Sequence, residues 1–235
     1  VNLLSQSASS GHVDPEGEVP WCMQLVVRLD RAAPPGHTAV CEAGALAVVR
    51  LVSDERCEPG GSWSAPVARW LAGRIRKHAR RAKGAAWERA QELPGVTTSH
   101  ADAQVRALVP TPLDAVPREI AKLQMQGLDL ADHPAARPQA IDAEPNGPVV
   151  VSITPEPVLS TGKAAAAAGH AAQIAWMEMA GDRRAMWVAS GLAVQVEHPA
   201  LQRWRSLRSR AQVTVTDAGL TDVDPGTVTA LARWA

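Results

Sequence analysis

The sequence predicts an α/β protein built from two units. Three observations point there. Short apolar runs of strand type alternate with longer segments of helical period, as in a sheet flanked by helices. This pattern stops at a Pro-rich stretch, 131–148, which holds four Pro and no apolar period, and then restarts. The chain of 235 residues is 46% hydrophobic and 20% charged, ordinary for a packed globular chain, and no apolar run approaches the ~20 residues that span a bilayer.

The elements follow in order. Residues 1–20 are polar, with Gly, Pro and Ser, and read as a mobile tail. They lack the basic start and apolar stretch of a secretory signal. MQLVVRL (23–29) reads as a strand, and HTAVCEAGALAVVRLV (37–52) as a helix after a Pro-Pro-Gly turn. Beyond a Gly/Pro/Ser break, residues 66–93 are expected to form one long basic helix, with Gly73 or Gly84 as its places to break. Strands are expected at 95–99 and 103–109. A short helix is expected at 116–127, with Pro117 suited to its first turn and Gly127 to its end. After the linker, VVVSI (149–153) is a strand and KAAAAAGHAAQIAWMEMA (163–180) a strong helix. A strand within 186–197, a helix at 198–210 and strands at 212–217 and 227–233 complete the series. The expected division is a flexible tail at 1–20, a first repeat at 21–130, a linker at 131–147 and a second repeat at 148–235.

The restart reads as an internal duplication. Laying Met23–Val27 on Val149–Ile153 carries Gly36 onto Gly162 and His37 onto Lys163. A slightly shorter offset carries Trp87 onto Trp204, Val96 onto Val213 and Thr97 onto Thr214. Chance similarity between two small α/β units is the plainer alternative.

Composition excludes several functions. The chain has eight Trp but no Phe and no Tyr. A tyrosine nucleophile is impossible, a kinase lacks its D-F-G Phe, and an RNA-recognition motif lacks its ring-bearing signature. Cys22, Cys41 and Cys57 form no C-x-x-C pair and read as reduced thiols, which places the protein in the cytoplasm. No cofactor or metal is expected.

Net charge is zero, but residues 66–90 hold eight Lys or Arg and one acid. Arg74, Arg76, Lys77, Arg80, Arg81 and Lys83 are therefore candidate contacts for a nucleic-acid backbone. A solvated face is the bland alternative. Trp70 and Trp87 flank the run and either pack in the core or stack on bases.

Ser160-Thr161-Gly162-Lys163 opens a helix after a strand and a turn. A Ser or Thr cap, a Gly that lets a ligand approach, free N–H groups and a lysine together suit an anion. A phosphate-binding Walker motif is excluded, because Pro157 stands at its first Gly and Ala164 follows the lysine. Lys163 and His170 share a helix face, about two turns apart. A second cluster, Thr216-Asp217-Ala218-Gly219-Leu220-Thr221 with Pro225-Gly226-Thr227, reads alone as two ordinary turns.

Together these motifs resemble the archaeal/eukaryotic-type (type II) peptidyl-tRNA hydrolase family. The similarity runs through G-K-A-A-A-x-x-G-H-A-A at 162–172, T-D-A-G-x-T at 216–221 and P-G-T at 225–227, and covers 148–235. MQLVVRLD resembles the family's opening strand, so the first repeat resembles a divergent copy. The resemblance implies two hydrolase-like units, each a small mixed sheet flanked by helices. It implies hydrolysis of the ester joining a peptide to the 3′ end of tRNA, with tRNA as partner and no membrane. Lys163 matches the motif lysine, His170 the helix histidine, Asp217 the acid and Thr221 the threonine of the second motif. Ser160, Thr161, Gly162, Gly219 and Thr227 are the expected substrate contacts around them. His170 is read either as a base or as a packing or substrate contact. The family's Gln, four residues after the lysine, is Ala167 here. In the first repeat, His37 and His100 replace the lysine and the acid, so that half is expected to be catalytically silent. An intramolecular pseudo-dimer of the two repeats is the natural arrangement of such a duplication. The alternatives are a non-catalytic RNA-binding module and a protein-interaction scaffold on the same fold.

Overall fold

A computed structural model describes residues 17–132, 137–217 and 223–235. The chain is mixed α/β with two mixed sheets. The first is built on β1 (Trp21–Arg28), whose run from Cys22 to Val27 is buried throughout. A strand covered on both faces belongs in the middle of a sheet. It pairs in parallel with β2 (Lys77–Ala82) and antiparallel with β4 (Ala103–Leu108). β3 (Gly95–His100) lies outside β4, and the two-residue β5 (Thr111–Pro112) pairs with the start of β1. The order is β2-β1-β4-β3. Helices α1 (His37–Val52) and α2 (Ser64–Ala72) connect β1 to β2, α3 (Ala85–Gln91) leads to β3, and the single turn α4 (Arg118–Ala121) follows β5.

The second half repeats this. β6 (Val149–Ile153), α5 (Thr161–Glu178), α6 (Gly181–Ala189), β7 (Val194–Glu197), α7 (Leu201–Arg208), β8 (Val213–Thr216) and β9 (Val228–Arg233) follow in the same succession. The sheet order is β7-β6-β9-β8, with the same parallel and antiparallel senses. Register agrees as well. Leu25 faces Ala107 where Val151 faces Ala232, and Met23 faces Lys77 where Val149 faces Val194. Trp70 on α2 and Trp187 on α6 are both fully buried. Each donates its indole N–H to the carbonyl six residues on, Arg76 at 3.1 Å and Ala193 at 2.8 Å. A buried indole needs such a partner, so each tryptophan also fixes the turn into its strand. Trp87 and Trp204 occupy matching buried places on α3 and α7.

α1 and α5 lie side by side between the two sheets, and one apolar core runs through both. They run in the same direction, with Gly44 beside Ala165 and Gly169 beside Val48. Small residues allow that approach. A Cβ at Gly169 would sit 2.8 Å from Val48 Cγ2, whereas one at Gly44 would sit 3.4 Å from the Ala165 Cβ. Both helices are apolar nearly all round, as buried helices must be.

The structure corrects several expectations. The basic segment is not one helix. It is α2, then the strand β2, then α3, broken at both Gly73 and Gly84. β1 has an open edge whose N–H and C=O groups need partners, and KHARRA supplies them over six residues. Tertiary pairing overrides the local helical pattern here. The helix expected at 116–127 is only α4, because Gln124 turns to bridge Arg81. α6 lies where the sequence suggested only a strand. In its described part the Pro-rich connection has neither helix nor strand, yet it is pinned. Pro138 accepts from His198 N–H at 2.9 Å, and Ile141 N–H reaches the buried Glu197 at 2.5 Å. Ser152, Arg203 and Arg233 complete the hydrogen bonds of that carboxylate. Among the described residues, no helix is long and apolar enough to cross a membrane.

Candidate functional site

The two motifs meet. β6 delivers the chain to Ser160, whose Oγ accepts the Lys163 N–H at 3.3 Å and caps α5. This is the cap that a serine ahead of a helical run predicts. At the other side of the sheet, β8 ends at Thr216. Asp217 then closes the base of the β8–β9 loop, its N–H donating to Thr227 O at 2.8 Å and its C=O accepting from Gly226 N–H at 2.9 Å. So held, the Asp217 carboxylate reaches Lys163 Nζ at 2.5 Å. The side chains are 17% and 15% exposed, so the pair is largely out of water yet still reachable. The dipole of α5 adds positive potential at the same point. An ammonium that can meet a developing negative charge thus stands beside a carboxylate that can hold a water. Gly219 and Thr221 lie outside the described residues.

Other expected contacts have structural work. Thr161 is buried, accepts the Leu130 N–H at 2.9 Å and bonds His37 Nδ1 at 2.9 Å. The space that Gly162 leaves open is filled by the protein itself, with Ala79 of β2 and Leu128 against it. Thr227 is half-buried at the loop base. His170 lies about 10 Å along the helix from Lys163. Burial, together with the charge of Lys77, pushes its pKa well below the usual histidine value. It is a neutral imidazole, and Lys163 pairs with Asp217 instead.

The basic residues do not form one exposed face. Strand alternation splits them. Lys77 Nζ donates to Gln173 Oε1 at 2.6 Å and lies 4.9 Å from the Trp70 ring, and burial pulls its pKa well down. Arg80 is held by Gln24 at 2.7 Å and the Leu123 carbonyl at 2.8 Å, and Arg81 by Gln124. Arg74 and Arg76 are half-buried, and Lys83 is exposed. Trp70 and Trp87 are core residues, not stacking platforms.

The first unit's counterparts behave differently. His100, in the place of Asp217, pairs with Glu42 at 2.9 Å, which raises its pKa. His37, in the place of Lys163, turns to Thr161 and to the His198 ring, 5.0 Å away. The sequence reading missed Thr38, Asp132 and His198, which come together from α1, the connection and the segment after β7. Asp132 accepts from both Thr38 N–H and Thr38 Oγ1 at 2.7 Å, and Thr38 Oγ1 lies 3.0 Å from His198 Nε2. No local spacing signals that group. Among the described residues, no cluster of three or more His, Cys, Asp or Glu could hold a metal ion.

No known family model matches this chain, and no curated protein matches it.

Proposed function

We propose that this protein hydrolyses the ester of peptidyl-tRNA, releasing free tRNA and peptide, with Lys163 and Asp217 as its working pair. One observation carries the reading: the 2.5 Å contact between residues from two distant motifs that both resemble the type II family. In the proposed reaction Asp217 orients a water, whose oxygen attacks the ester carbonyl. The Lys163 ammonium and the start of α5 stabilise the oxyanion that develops. The Asp217 carboxylate takes the proton that the attacking water gives up, the bond from carbonyl carbon to the ribose 3′ oxygen breaks, and that oxygen takes the proton from Asp217. Thr221 is assigned a hydrogen-bond relay on the resemblance alone. Ser160, Thr161 and Gly162 shape the start of α5, with Thr227 at the base of the loop after β8; Gly219 is assigned a substrate contact on the resemblance alone. Lys83, Arg74 and Arg76 are the better placed of the basic residues to meet tRNA phosphates. The matching sheet orders support two hydrolase-like units packed as an intramolecular pseudo-dimer through α1 and α5. The cytoplasm is the proposed location.

One observation favours a second reading, a non-catalytic RNA-binding or protein-interaction module. Ala167, buried on the face of Lys163, stands where the family has its Gln. The deciding experiment follows release of free tRNA from N-acetylated aminoacyl-tRNA. The hydrolase reading expects turnover that Lys163→Ala abolishes. Binding without turnover in the wild type selects the second reading.

A further inference from the structure

A cavity of about 580 Å3 opens where the starts of α1 and α5 meet the Pro-rich connection. That volume is in the range of small-ligand sites. Neither Lys163 nor Asp217 lines it; Thr161, at the start of α5, is the one residue it shares with the proposed ester site.

One wall is polar and fixed. The single hydroxyl hydrogen of Thr38 goes to Asp132, since a carboxylate has none to give. Thr38 must therefore accept from His198 Nε2–H. This sets the tautomer of His198 and leaves its Nδ1 as a bare acceptor. Burial keeps that ring neutral, with its pKa pushed down to about 3. The facing wall is apolar, with Pro155, Val158 and Leu159. Val158 is 86% exposed, an apolar side chain with little protein over it. Two opposite charges, Asp129 and Arg137, also line the cavity, and neither has a hydrogen-bond or ion-pair partner among the described residues. Both line the same cavity as His37, and both act electrostatically on that ring, as Asp132 does more strongly.

We propose that this cavity binds a small α-amino acid zwitterion with an apolar side chain. The carboxylate meets Arg137, the ammonium meets Asp129 and His198 Nδ1, and the side chain lies on Val158, Leu159 and Pro155. A simple anion leaves Asp129 facing like charge, and a simple cation does the same at Arg137. The zwitterion satisfies both. Because the cavity is walled by the first unit, the connection and the second unit, a bound ligand also stabilises their arrangement by mass action.

The test titrates the full chain with L-leucine, isovalerate and isoamylamine, by calorimetry and by thermal unfolding. Saturable binding of leucine is expected at one site, with each single-charge analogue about tenfold weaker or worse. Arg137→Ala and Asp129→Asn, both at exposed positions, each weaken leucine by about tenfold or more. Arg137→Ala spares isoamylamine, and Asp129→Asn spares isovalerate. Lys163→Ala leaves leucine binding unchanged, which separates this site from the proposed ester hydrolysis. Absence of saturable leucine binding overturns the proposal. So does isovalerate or isoamylamine binding as tightly as leucine, or unchanged leucine affinity in both cavity variants.

Discussion

The start of α1 and the start of α5 occupy matching places in two sheets of one order, yet they hold different chemistry. At α5 a lysine meets an aspartate from the loop after β8. At α1 the residue in the lysine's place is His37, and it bonds across to Thr161 of the other half. The residue in the aspartate's place, His100, pairs with Glu42 on α1 itself. The backbone fixes where side chains stand, but at these matching places it is the second half that brings a lysine and an aspartate together. The first half has turned one of these positions, His37, into a contact across the halves and the other, His100, into a contact within its own unit. Fold and chemistry separate cleanly here.

The largest expected effect breaks that contrast at its centre. Lys163→Ala and Asp217→Asn should each lower ester turnover by about 100-fold or more, the scale of losing a charge-stabilising group. His37→Ala and His100→Ala should change turnover by less than about threefold, and steady-state rates of tRNA release check all four.

Next comes the seam between α1 and α5. Gly169→Ala forces a methyl against Val48 and should cost about 1–3 kcal/mol in urea unfolding. Gly44→Ala meets only ordinary contact distance at Ala165, and its gain in helix propensity should leave it neutral or slightly stabilising. If both cost the same, the two helices do not pack in this register.

A smaller effect lies in pH. His198 has its folded pKa pushed down to about 3, so acid protonates the unfolded chain first. Stability from this group is complete above about pH 6.5 and falls as pH drops towards 3. The slope is at most about 1.4 kcal/mol per pH unit for one group. His198→Asn should flatten the acid limb of the stability curve measured by urea unfolding. An unchanged limb would mean that His198 is not held neutral. His100 works in the opposite sense: its raised pKa gives a contribution present below about pH 6.5 and lost at higher pH, small because the ring is half-exposed.

The smallest expected effect concerns the basic segment. Lys83→Ala should weaken tRNA binding modestly and lower its salt slope by about one. Arg80→Ala should act mainly on stability, since its guanidinium is tied to Gln24 and a carbonyl. Binding in a salt series, with unfolding in parallel, tells the two apart.

Much of this was legible in the sequence. The bounds of α1 and β6 follow from apolar period and length, and the Ser160 cap from residue type. Lys163 and Asp217 are each singled out by the resemblance of their motifs, while their contact has no signature in the sequence. The basic segment misled because a strand that completes β1 is specified by the edge it joins, not by its own residues. The exposed charges expected there became Lys77 on Gln173 and Arg80 on Gln24. The Thr38–Asp132–His198 group was invisible because its members come from three separate segments and meet only in the packed chain.

The central claim is that Lys163 and Asp217 act together on an ester. Its most direct test is a double-mutant cycle on tRNA release from N-acetylated aminoacyl-tRNA, with Lys163→Ala, Asp217→Asn and both. Each single variant is predicted to lose most of the turnover, and the double variant to lose little more, because the pair acts as one unit. Wild-type-like release by either single variant, or losses that simply multiply in the double, would contradict it.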